Sequence, residues 1–172
     1  MKIRGLSFWL ATSMASCVAL TGQASAQQAM SQPMGHNTAD MKLVTMPGLP
    51  TCAQASVMSG DPSKGPSTLY AKVASGCSIP WHWHTPNEQL MIASGTAVVD
   101  VKDGSSITLK PGGFAMMPSR HVHQFKCQAG ACAFYIVSDG VFDIHYVDAQ
   151  GAELSPADAL KAVKETAATQ MK

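Results

Sequence analysis

From residue 66 to residue 148 the chain never sustains a helical hydrophobic period. It repeats short runs instead: "TLYAKVA", "TAVVDVK", "SITLK", "FAMMP", "HVHQF", "ACAFYIV" and "VFDIHYV". Turn-forming stretches such as "DGSS" and "PGG" part them. In "TLYAKVA", Leu69, Ala71 and Val73 alternate against Thr68, Tyr70 and Lys72. That period of two belongs to a strand with one buried face. Many short strands closed by Gly and Pro predict an all-β sandwich or barrel.

The flanks differ from this middle. Lys2 and Arg4 precede an apolar, uncharged run over residues 6–20, and Ala24-Ser25-Ala26 follows. A basic start, a short apolar core and small residues at the exit predict a secretory signal peptide cleaved after Ala26. Cys17 lies inside the apolar run, so a lipoprotein reading is the weaker one. No later segment is apolar for long enough to be a membrane span. The expected organisation is a leader at 1–26, an arm and irregular lead segment at 27–64, a barrel at 65–148 and a helix or tail at 149–172. In that tail Ser155 can cap a helix that has Pro156 at its first position. Leu160, Val163 and Ala167 share one face of it.

Without Lys2 and Arg4 the chain carries ten basic and eleven acidic residues, with no cationic cluster, which argues against a nucleic-acid partner. The export reading leaves Cys52, Cys77, Cys127 and Cys132, an even set suited to disulfides, with three connectivities open. Cys127 and Cys132 flank "QAGA", read as a hairpin loop that would bring them face to face and leave Cys52 to Cys77. The competing reading is reduced, buried thiols. No C-x-x-C spacing supports a zinc site made of cysteine alone.

Chemistry concentrates in "PWHWHTPNEQLMIASG", residues 80–95. Strand parity puts His82 and His84 on one side and Trp81 and Trp83 on the other. Glu88 can return to the histidine side, and "PSRHVHQF" offers His121 or His123 as a further ligand. Three imidazoles and one carboxylate suit a divalent transition metal, Mn, Fe, Ni, Cu or Zn, and leave positions open for water or substrate. The tryptophans are expected to pack outward, against the helix, the arm or a second subunit. His36 and His145 are expected to be solvated or rim residues. Met91, Met116 and Met117 are read as core fillers rather than copper ligands. By parity the cavity is lined by Leu90, Ile92, Phe125, Phe134 and Ile136, an apolar set. Glu88 is the one candidate acid or base beside the metal, and no nucleophile motif is present.

These spacings resemble the cupin superfamily. Gly76, five residues, His82-x-His84, three residues, Glu88, six residues and Gly95 match its first motif. Gly112, five residues, Pro118, Arg120 and His123 follow its second in length. Arg120 stands where the family usually has glycine, and Cys127 where it often has asparagine. If position 120 is left-handed, an arginine there costs about 1–2 kcal/mol. The flanks are similar to small single-domain bacterial cupins of the quercetinase-like or ChrR-like type. The resemblance implies a double-stranded β-helix barrel with a metal held by His82, His84, Glu88 and His123, and frequently a homodimer. Function then divides three ways. One is a periplasmic or secreted metal-dependent, dioxygenase-like enzyme for a small organic molecule. The second is a non-catalytic module that binds or senses a small ligand or metal. The third is a purely structural barrel.

Overall fold

A computed structural model describes residues 34–102, 104, 106–161 and 163. The expected leader at 1–26 lies outside these residues, as do the arm up to residue 33 and most of the tail beyond residue 161. The described strands, in chain order, are β1 (Ala53–Gly60), β2 (Ser67–Val73), β3 (Ser78–Trp83), β4 (Glu88–Val101), β5 (Ile107–Leu109), β6 (Phe114–Met117), β7 (His123–Ser138), β8 (His145–Val147) and β9 (Glu153–Leu154).

Two long strands decide the architecture. β4 has 14 residues and β7 has 16, and they pair antiparallel from Glu88↔Ser138 to Val101↔His123. Their early and late halves belong to different layers. One layer runs β1–β2–β7–β4–β6, using the second half of β7 and the first half of β4. The other runs β9–β8–β3–β7–β4–β5, using the opposite halves. Leu69, Leu90 and Ile136 from the first layer join Val99, Leu109 and Phe125 from the second in one core cluster. Phe125 and Phe134 meet across it with ring centroids 4.7 Å apart. The fold is all-β, a double-stranded β-helix barrel.

At the crossing between layers the chain departs from the hairpin expected at "QAGA". Pairing with β4 continues on both sides of it, from Ala97↔Cys127 to Ser94↔Ala133, with extra residues bulged out of β7. A left-handed glycine such as Gly130 serves a bulge as well as a hairpin, so composition alone does not separate them. The Cys127–Cys132 disulfide forms nonetheless, and it clamps the bulge within one strand. The second disulfide joins Cys52 to Cys77.

Residues 53–60, assigned from sequence to the irregular lead segment, form β1 and pair with β2, so the barrel begins at Ala53 rather than residue 65. The buried positions of that strand are Ala53 and Ala55, whose small side chains give little apolar contrast with Gln54 and Ser56. The tail turns helical at residue 156. Ser155 Oγ accepts from the Asp158 N–H at 3.1 Å, as a cap should. Leu160 and Val163 face the turn at residues 49–52, while Ala167 lies outside the described residues.

Candidate metal centre

The three histidines arrive from two neighbouring strands. His82 on β3 pairs directly with His123 at the start of β7. His84 follows β3 by one residue, on the same side as His82. Their rings stand 4.3 Å (His82–His123), 4.8 Å (His82–His84) and 5.5 Å (His84–His123) apart between centroids. One ring nitrogen from each lies within 4.8 Å of the others, and all three residues are buried. Glu88 opens β4 in the opposite layer. Its carboxylate oxygens lie 3.6 Å from His84 Nε2 and 3.4 Å from His123 Nε2.

Backbone carbonyls fix the ring orientations. His82 Nδ1–H donates to Pro80 O at 2.6 Å, and His123 Nδ1–H donates to His121 O at 2.9 Å. His84 Nδ1–H donates to Asp143 O, a contact from the loop between β7 and β8. A carbonyl only accepts, so each Nδ1 carries the proton and a neutral ring keeps its lone pair on Nε2. Carbonyl partners of this kind are what hold a metal-ligating histidine in register.

The electrostatics point the same way. Burial, then the neighbouring His123 and His84, push the His82 pKa well below the usual imidazole value, against the pull of the Pro80 carbonyl. His82 is therefore neutral at physiological pH, the form that binds metal. Burial pushes the Glu88 carboxyl pKa up, but His84 and His123 outweigh it and hold the group below its ordinary value. The buried carboxylate thus stands 3.4–3.6 Å from two imidazole Nε2 atoms. Among the described residues His84 Nε2 has no hydrogen-bond partner. An orphaned buried polar atom costs about 1–3 kcal/mol. A cation placed among these atoms would engage the orphaned nitrogen and the carboxylate together, so the residues fit a metal ion.

The cavity beside this cluster measures about 30 Å³. Leu90, Phe125, Phe134 and Ile136 line it, as parity indicates. Ile92 does not: it shares that face and the core cluster but lies two residues further along β4 than Leu90. At about 3.3 Å per residue that is roughly 7 Å along the strand from Leu90. Leu49, Ile79, Phe142 and Ile144 also line the cavity, and sequence reasoning did not single them out. The signal was weak, because three of the four lie outside any strand.

The remaining candidates fall outside the cluster. The His121 side chain is exposed, and only its carbonyl contributes. Met117 is buried in the core, whereas Met116 is exposed at the outer face. Trp83, among the described residues, packs against His145 and Arg120 rather than against the histidine cluster. His145 stacks on it at 3.9 Å with planes 4° apart, and the Arg120 guanidinium sits 4.7 Å from its centroid. Arg120 has φ of 60°, so this residue does take the left-handed turn that the family gives to glycine. Its N–H donates to His84 O at 2.8 Å, which ties that turn to the site.

Fold and site together define a two-layered β-helix barrel with a histidine cluster in its mouth. Residues 69–138 match the cupin domain family. Similar solved structures include the polyketide cyclase RemF from Streptomyces resistomycificus, at 17% identity and TM-score 0.60 over 74% of this chain and 92% of that one. The Cnp3 cupin domain of Schizosaccharomyces pombe aligns at 13% identity and TM-score 0.53, over 62% and 73%. The DMSP lyase DddQ from Ruegeria pomeroyi DSS-3 aligns at 18% identity and TM-score 0.51, over 67% and 61%. At these identities the likeness is one of fold. No curated protein matches the chain significantly by sequence.

Proposed function

We propose that the protein is an exported cupin that binds one divalent transition metal through His82, His84, His123 and Glu88, and uses it enzymatically on a small molecule. The observation that carries this is the convergence of three buried imidazoles, one with an orphaned Nε2, on the buried Glu88 carboxylate. The bound metal would supply Lewis acidity or activate a bound water or dioxygen. The chain's own part is to orient three rings through their carbonyl partners, keep bulk water out with aromatic walls, and hold a carboxylate at the metal. Glu88 is the one side chain there able to take up a proton, if it leaves the metal during turnover. Export is supported by the sequence of residues 1–26 and by two disulfides, which persist in oxidising compartments. Among the described residues no helix is long and apolar enough to cross a membrane.

The second reading is a non-catalytic module that binds a small ligand or the metal itself in the periplasm. The small cavity and the single candidate acid or base favour it. Metal analysis of protein purified from metal-replete cells tests the common core of both readings. A stoichiometric divalent metal is expected, lost in His84→Ala. Metal-free wild-type protein, or an unchanged metal content in the variant, refutes the ligand set. Oxygen uptake with small organic substrates then separates enzyme from binder. Size-exclusion chromatography with light scattering decides whether the protein forms the homodimer frequent in this family.

A further inference from the structure

The residues lining the metal-side cavity divide by exposure. The three histidines, Glu88, Leu90, Phe125, Phe134 and Ile136 are buried and make its walls. Leu49, Ile79, Phe142 and Ile144 are half-buried, touching the cavity on one side and solvent on the other. Among the described residues, these four are the cavity-lining side chains that reach solvent. None of them carries a polar side chain.

Each is held in place. Phe142 lies in the loop between β7 and β8, with its ring 5.0 Å from that of His84 and its N–H donating to Pro62 O at 2.8 Å. The next residue, Asp143, supplies the carbonyl that orients His84, so one loop sets both the ligand and the side chain over it. Leu49 lies in a turn fastened to β8, where Tyr146 Oη–H donates to Gly48 O at 2.8 Å. Gly48 itself leaves room for Ile144, whose Cγ2 would stand 3.4 Å from an added Cβ. Ile79 is in β3, paired with Phe125.

We propose that Leu49, Ile79, Phe142 and Ile144 form an apolar neck, with Phe142 as its narrowing residue, that limits ligands at the metal position to slim, uncharged molecules. This rests on the metal reading above. The volume argues for slimness. A water needs about 10–15 Å³ on the scale that gives this cavity about 30 Å³, so there is space for an ion and one small partner. The chemistry argues for neutrality. A charged ligand would shed its hydration among four apolar side chains, with no polar group to replace it. Ring-sized substrates are excluded from direct coordination while Phe142 stays in place.

The test uses Co(II)-loaded full-length mature protein and visible absorption as the readout of coordination. Methyl isocyanide and tert-butyl isocyanide share a ligating carbon and differ in bulk, and azide is slim but anionic. In wild-type protein methyl isocyanide should bind at least about tenfold more tightly than either of the others. Phe142→Ala should bring the two isocyanides to within about twofold of each other, and Phe142→Leu should fall between. Cobalt content of each variant shows whether its site has formed. Equal affinity for both isocyanides in wild-type protein would overturn the neck. So would a size preference that survives both substitutions, a spectrum that answers to neither isocyanide, or azide binding as tight as methyl isocyanide. Wild-type protein that takes up no cobalt sinks the metal reading and this inference together, whereas cobalt uptake without sorting by bulk sinks this inference alone.

Discussion

Replacing Gly95 and Gly112 by alanine, one at a time, separates two reasons why a motif glycine can matter. Both are left-handed, with φ of +78° and +85°. Each alanine therefore carries a similar backbone cost of about 1–2 kcal/mol. Only Gly95 adds a second cost. A Cβ there would stand 2.7 Å from Ala131 O and 2.9 Å from Cys132 Cα, both backbone atoms, whereas nothing lies within 4 Å of one built on Gly112. Crowding a packed interior costs about 1–3 kcal/mol more. Gly95→Ala should then lose about 2–5 kcal/mol, and Gly112→Ala about 1–2 kcal/mol. Urea unfolding of oxidised protein measures both, provided the slope is unchanged. The Cys127–Cys132 disulfide holds the opposing backbone in place, so the excess at Gly95 should shrink once both cysteines are alanine. Equal losses in the two glycine variants would refute the close approach of β4 to the β7 bulge.

The two disulfides should differ in worth. Their sequence separations are 25 and 5, and loop entropy makes loss of Cys52–Cys77 about 1.4 kcal/mol more costly than loss of Cys127–Cys132. Unfolding of the two double-alanine variants checks this, and the reverse order would mean that packing of the fully buried Cys127 and Cys132 dominates. Arg120→Gly relieves a left-handed arginine but gives up its contact with Trp83, worth about 0.5–1 kcal/mol. Stability should rise by at most about 1.5 kcal/mol, and a clear loss in thermal melts would show that the Arg120–Trp83–His145 stack outweighs the backbone cost. Metal should stabilise the fold by about 2.7 kcal/mol at a hundredfold excess over Kd. Calorimetry should find no such shift in His84→Ala/His123→Ala, and an equal shift there would place the metal elsewhere.

The histidine cluster was legible because its determinants are local. His82 and His84 share a face through strand parity alone, and the separation of Glu88 and Gly95 from them survives any packing of the barrel. Arg120 in a glycine position was legible for the same reason, since one φ angle decides it. Features that depend on register were not. Whether "QAGA" turns back on itself or bulges out of a continuing strand is settled by what β4 does opposite it, more than thirty residues earlier in the chain. β1 escaped notice because alanine marks its buried face. The neck is the extreme case. The Asp143 carbonyl reaches His84 across 59 residues, and Tyr146 reaches Gly48 across 98. Those two contacts bring Phe142, Ile144 and Leu49 over the site from aperiodic segments, where hydrophobic pattern carries no directional information. Spacing along the sequence therefore specifies the atoms that can hold a metal, while the side chains that decide what reaches it are placed by tertiary hydrogen bonds. Two cupins with identical motif spacing can for that reason differ at the neck and in the ligands they admit.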